Sequence, residues 1–245
     1  MAITRADSQQ ADQIAQGLAD IYGVTIQKDW GEQGAEAVPI PDTWAGGEWS
    51  LDELQILQKG VADLARAMGS PDRFTENIGR INISQVEMKH RGLASVHGIK
   101  FTASSISIDT WTVVHELAHV WDANSGWRLS KALEFYTGGY TNWVAMLVKK
   151  GRGNCDESRR RPGCNRSGYF YGGVPPAGSD QNFNRREDFA ESVTSYVYPA
   201  EVQRRVDRFK EDDEYQGLLY YADYTQTQRW AFVDGLVKGT IEVSR

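Results

Sequence analysis

Hydrophobic and polar positions alternate along this chain in two rhythms, one helical and one β. In residues 11–22, "ADQIAQGLADIY", Ile14, Leu18 and Ile21 recur at helical spacing on one face. Gly23 ends that helix, and "VTIQKDW" after it reads as a short strand. Residues 31–49 are rich in Gly and Pro and read as a long loop. That loop marks off an N-terminal segment, 1–49, which is either a lobe of its own or part of the domain formed by 50–245. "SLDE" at Ser50 is a capping box, in which the Ser50 hydroxyl serves the first turn and Glu53 reaches back. The helix it opens carries Leu54, Leu57, Val61, Leu64 and Met68 at core spacing, until "GSPDR" breaks it.

The rhythm then changes to period two. "RINISQVEM" (80–88) and "IKFTASSISI" (99–108) read as strands, and "HRGLASVHG" between them reads as a hairpin connection. Asp109 is placed to cap a helix over about 110–123 that stops at "NSG", where Gly126 is the end signal. Beyond residue 109 the pattern is helix and loop throughout. Helices are predicted over about 128–148, over "REDFAESVTSYV" as far as Pro199, and over "TQRWAFVDGLVK", with a Gly/Pro/Arg-rich loop at 151–184. The predicted class is α+β: a small twisted sheet packed on the helix at 110–123, then a mostly helical C-terminal part.

Composition narrows the possibilities. The 245 residues are 40% hydrophobic, enough for one sizeable core. A net charge of −6 argues against nucleic acid or an anionic membrane as partner. No apolar run is long enough to span a bilayer, and the polar start "MAITRADSQQADQIAQ" lacks the apolar stretch of a signal peptide. The compartment stays open, a domain of an exported protein included. Cys155 and Cys164 lie in one loop and read equally as a bridged pair or two free thiols.

The candidate chemistry lies in "TWTVVHELAHVWD", residues 110–122. His115, Glu116 and His119 fit HExxH. Residues four apart on a helix share a face, so both imidazoles can address one ion. Glu116 is turned by roughly 100° from His115, beside the ion, where its carboxylate can take a proton from a metal-activated water. The flanking Val113, Val114, Leu117, Ala118, Val120 and Trp121 make the helix a core element, with Trp111 and Trp121 expected to wall the site. A helix that merely buries two satisfied histidines is the bland alternative.

Two histidines leave zinc under-coordinated. The metzincin continuation fails, because Asp122 and Ser125 stand where Gly and His or Asp belong. Asp122 is seven residues beyond His115, roughly 10 Å along the axis, which suits a supporting or helix-end role. "EDFAE" (187–191) is the better source. Glu187 and Glu191 share a helical face, and Ala190 permits close approach of another helix. Two carboxylates on a buried face need a positive partner. Glu187 is assigned to the metal and Glu191 to orienting a ligand histidine through its N–H. Asp188, or Glu191 as the direct ligand, are the alternatives.

HELAH followed by EDFAE resembles the gluzincin metallopeptidases, and in particular is similar to the anthrax lethal factor-like and Pro-Pro endopeptidase group. The likeness covers roughly residues 50–245, although its specific motifs span only about ten residues. It implies a zincin-like fold and Zn2+ held by His115, His119 and Glu187. It further implies Glu116 as general base and proton shuttle, and a peptide or protein substrate. The thermolysin-type NExxxD pattern is absent, since Arg186 precedes Glu187. The group also has a tyrosine about two turns before the ligand glutamate, where this chain has Asp180. Tyr171 is taken for that role, with Tyr169 beside it and Tyr196 and Tyr198 downstream as alternatives. One of the two predicted strands should form the rim against which an extended substrate pairs. The Arg-rich loop 152–166 is either a solvated basic loop or an overhang favouring acidic substrates. The expected activity is zinc metalloendopeptidase; the alternative is a zincin-like zinc- or partner-binding module without catalysis.

Overall fold

A computed structural model describes residues 5–27, 49–86, 91–102, 108–137, 184–210, 225 and 228–243. Tyr169, Tyr171, Cys155, Cys164, the Arg-rich loop, residues 28–48 and 138–183 lie outside them. The described protein is mixed α+β, mostly helical, with one four-stranded sheet. None of its described helices is long and apolar enough to cross a membrane. The chain divides into two compact units, Met1–Asn124 and Ser125–Arg245.

In the first unit, α1 (Arg5–Tyr22) leads through Gly23, at φ +68°, into β1 (Val24–Ile26). α1 packs on α2 (Leu51–Met68), and β1 pairs in parallel with β2 (Ile81–Val86), so residues 5–27 are built into this unit. The expected capping box is present: Ser50 Oγ accepts from the Glu53 N–H, and the Ser50 N–H donates to Glu53 Oε2 at 2.9 Å. All five predicted core positions of α2 are buried. Each Leu or Met removed from water is worth about 1.5–3 kcal/mol, which fixes this helix against its neighbours.

"GSPDR" is more than a break. Ser70 caps a second helix, α3 (Pro71–Ile78), with Pro71 in its first turn and Phe74 and Ile78 buried. Two apolar positions in an eight-residue helix are too few to show as periodicity.

The sheet order is β1-β2-β4-β3, with β3 at Gly92–Ser95 and β4 at Gly98–Thr102. β2 and β4 pair in parallel, Ile83 opposite Ile99, while β3 runs antiparallel to β4. This corrects the hairpin reading. The segment between the predicted strands is itself a strand, and the two strands it joins run the same way. Neither predicted strand is an edge: β2 and β4 have neighbours on both sides, whereas β3 lies at the sheet's edge among the described residues. β3 was hidden because its residues alternate half-buried with exposed, and "GLAS" has one large apolar side chain.

α4 (Thr110–Asn124) packs on α2, α3, β3 and β4. The seam with α2 is tight at Gly60, where a Cβ would stand 2.6 Å from Val113 Cγ1. The Asn124 side chain donates to the Ile78 carbonyl, tying the end of α4 to the end of α3.

The second unit contains α5 (Arg128–Thr137), α6 (Arg185–Val197), α7 (Pro199–Lys210) and α8 (Gln228–Lys238). α5, α6 and α8 pack on one another, and α7 on α6. Leu129, Leu133, Phe189, Val193, Phe232 and Val233 are buried among them. The core also holds an ion pair. Arg229 of α8, at 0% exposure, donates from Nε and Nη2 to the two oxygens of Asp188, at 2.7 and 2.8 Å.

Candidate metal centre

Asp109 starts the helix that carries the motif. Its carboxylate accepts from the Thr112 N–H at 2.7 Å and its carbonyl from the Val113 N–H at 3.1 Å. A capped first turn fixes the rotational phase of everything after it. His115 and His119 therefore fall one turn apart, with their Nε2 atoms 3.1 Å from each other and their ring planes at 81°. Two nitrogens each about 2.0–2.1 Å from a tetrahedral ion stand about 3.3 Å apart, so the observed spacing fits a shared ion.

Glu116 faces another way. Its side chain is buried at 7% exposure and lies against the backbone of Gly92 in β3. The apolar flanks are as expected: Val113, Val114, Leu117, Ala118 and Val120 have no exposure, and Trp111 and Trp121 are buried.

On α6, Asn184 is the cap, its side chain accepting from the Arg186 N–H at 2.8 Å. Glu187 and Asp188 occupy the first turn, where the helix dipole favours negative charge. Glu187 is half-buried, as is Glu191 one turn later. Ligand atoms of His115, His119 and Glu187 all lie within 4.8 Å of one another, and no other such group of three occurs among the described residues.

These residues could hold a metal ion. Three protein ligands of the His2Glu type with a fourth position left over suit catalytic zinc, while two histidines and a carboxylate also suit ferrous iron. The alternatives to Glu187 do not join the group. Asp188 spends both oxygens on Arg229. Asp122 is fully buried in the last turn of α4.

Tyr196 is committed elsewhere as well. Its hydroxyl donates to Asp234 Oδ1 at 2.9 Å, and its ring lies 4.4 Å from that of Trp230. Burial, with the hydrogen bond and charge of Asp234 adding, pushes its pKa up to about 12. Asp234 itself is held below the usual carboxylate range, chiefly by the Lys238 ammonium.

Two further residues carry a signal in the sequence. Arg229 shares a helical face with Phe232 and Val233, which marks a cation that must be paired in the core. Gly92 opens β3, and a glycine in a strand often marks a close approach by another group. No family model, curated protein or solved structure matches the chain.

Proposed function

We propose that this chain is a zinc metallopeptidase of the gluzincin type, with a zincin-like fold, acting on peptides or proteins. One observation carries the reading: three donors of the His2Glu set within 4.8 Å, with a buried carboxylate next in sequence to the first histidine. Neither half would mean much alone, since acidic groups near histidines are common and HExxH arises by chance.

In this reading His115, His119 and Glu187 hold the ion. Zinc, when bound, supplies Lewis acidity toward the attacking water and the scissile carbonyl. Glu116 accepts the proton of that water and delivers it to the leaving amine, the double duty of a general base that becomes a general acid. Its burial limits competing solvent. Glu191 accepts an N–H from a ligand imidazole and fixes that ring's orientation. β3 offers the edge along which an extended peptide pairs.

The test is a peptide-library cleavage assay on the purified full chain. Cleavage that is lost by about 10²–10⁴-fold in Glu116→Gln, with metal still bound, is the expected result. Full activity in that variant, or no cleavage by a zinc-loaded wild type, removes the peptidase reading. Metal analysis in the same preparation separates zinc from iron.

A further inference from the structure

Gly92 has no conformational reason to be glycine. It is not among the glycines with positive φ, and its strand neighbours make ordinary antiparallel pairing, Gly92 opposite Phe101. On an edge strand glycine is a poor choice, because any side chain would lower the entropy lost on folding. Yet a Cβ built at Gly92 would meet Glu116 at once: the three nearest atoms are Glu116 Oε1 at 2.5 Å and Cδ and Cγ at 2.6 Å. Ordinary contact begins near 3.4 Å. Only the absence of a side chain on β3 leaves the carboxylate its place.

We propose that Gly92 is the positioning residue for Glu116: bare backbone at this point of β3 is the seat on which the carboxylate rests. The inference rests on the proposed role of Glu116 for its catalytic meaning, but the seat is a property of the fold. Among the described residues the strand that carries Gly92 is an edge of the sheet, so one segment sets both the proposed rim and the height of the general base above it. A methyl group here forces the side chain from Cγ outward to retreat by about 1 Å, enough to leave a contact well. A displacement of about that size costs on the order of 10²-fold in turnover. Neither His115 nor His119 is among the three atoms nearest a Cβ at Gly92, so metal binding is expected to be kept.

The experiment pairs turnover with a stability cycle on the metal-free and zinc-loaded full chain. Gly92→Ala is expected to lower kcat by about 10²-fold with KM and zinc stoichiometry unchanged. Its Tm is expected to fall by several degrees. In the Glu116→Ala background, where Cγ, Cδ and the oxygens are gone, the same substitution should leave Tm unchanged or higher. If Gly92→Ala fails to fold, recovery of folding in the double variant supports the seat, and failure of both overturns it. Equal Tm changes in the two backgrounds, zero included, or undiminished kcat, overturn the proposal. An inactive wild type would count against the peptidase reading alone, and the stability cycle would still decide about Gly92.

Discussion

The two helices that bear the proposed ligands are both largely buried, yet they bury different chemistry. In α4, twelve of fifteen residues are buried, and most of them are hydrocarbon: Val113, Val114, Leu117, Ala118, Val120 and Ala123, with Trp111 and Trp121. In α6, seven of thirteen are buried, and four of those are polar: Asp188, Ser192, Thr194 and Ser195. α4 is held by the hydrophobic effect and by fit against α2. α6 must satisfy what it buries. Ser192 donates to the Asp188 carbonyl at 2.6 Å and Thr194 to the Ala190 carbonyl at 2.8 Å, both within the helix. The Asp188 carboxylate needs Arg229, 41 residues away. The proposed ligands thus stand on two kinds of scaffold, one greasy and one polar, and the two should fail differently when cut.

The largest difference is expected at Asp188. Asp188→Ala removes the carboxylate that takes two hydrogen bonds from the buried Arg229 guanidinium, which should cost about 3–5 kcal/mol, read by urea or thermal unfolding. Replacing both partners, Asp188→Leu with Arg229→Met, should recover most of that loss, because the pair's net worth over apolar packing is small. A cost below 1 kcal/mol for the single change would erase the contrast between the helices.

On the α4 side the corresponding cut is steric. Gly60→Ala drives a methyl group into Val113 and should cost about 1–3 kcal/mol, despite alanine's better helix propensity. Val113→Ala should relieve it. A neutral or stabilising Gly60→Ala would mean that the α2–α4 seam is loose and that the apolar scaffold is not what fixes the histidines.

The smallest effect is a pH dependence in the polar unit. Tyr196 has a folded pKa raised from 10.0 to about 12. A group so shifted binds its proton more tightly folded than unfolded. Its contribution is therefore complete below pH 10 and is lost as pH rises through about 12. Between those values the wild type should lose stability relative to Tyr196→Phe. Parallel curves for the two proteins would show that the Tyr196–Asp234 hydrogen bond contributes nothing.

The contrast also explains what the sequence made legible. α4 and α2 were readable because burying hydrocarbon leaves a periodic trace, and both caps, Asp109 and Ser50, form the hydrogen bonds their positions predict. The histidine pair was readable because residues four apart share a helical face, and the two Nε2 atoms do stand 3.1 Å apart. β3 and α3 escaped notice because a half-buried edge strand and a two-turn helix leave too few apolar positions to count. Asp188 was read only as a possible ligand, since nothing near it in sequence announces Arg229. Gly60 and Gly92 were passed over for a simpler reason: what they accommodate, Val113 and Glu116, lies on another element, and a missing side chain has no periodicity.

The central claim is that His115, His119 and Glu187 form one metal site. The measurement that tests it most directly is the zinc content of the purified full chain beside that of Glu187→Ala, with iron measured in parallel. The account predicts about one zinc per chain in the wild type, lost or sharply weakened in the variant. No metal in the wild type after zinc is supplied, or zinc held equally well by Glu187→Ala, would contradict it.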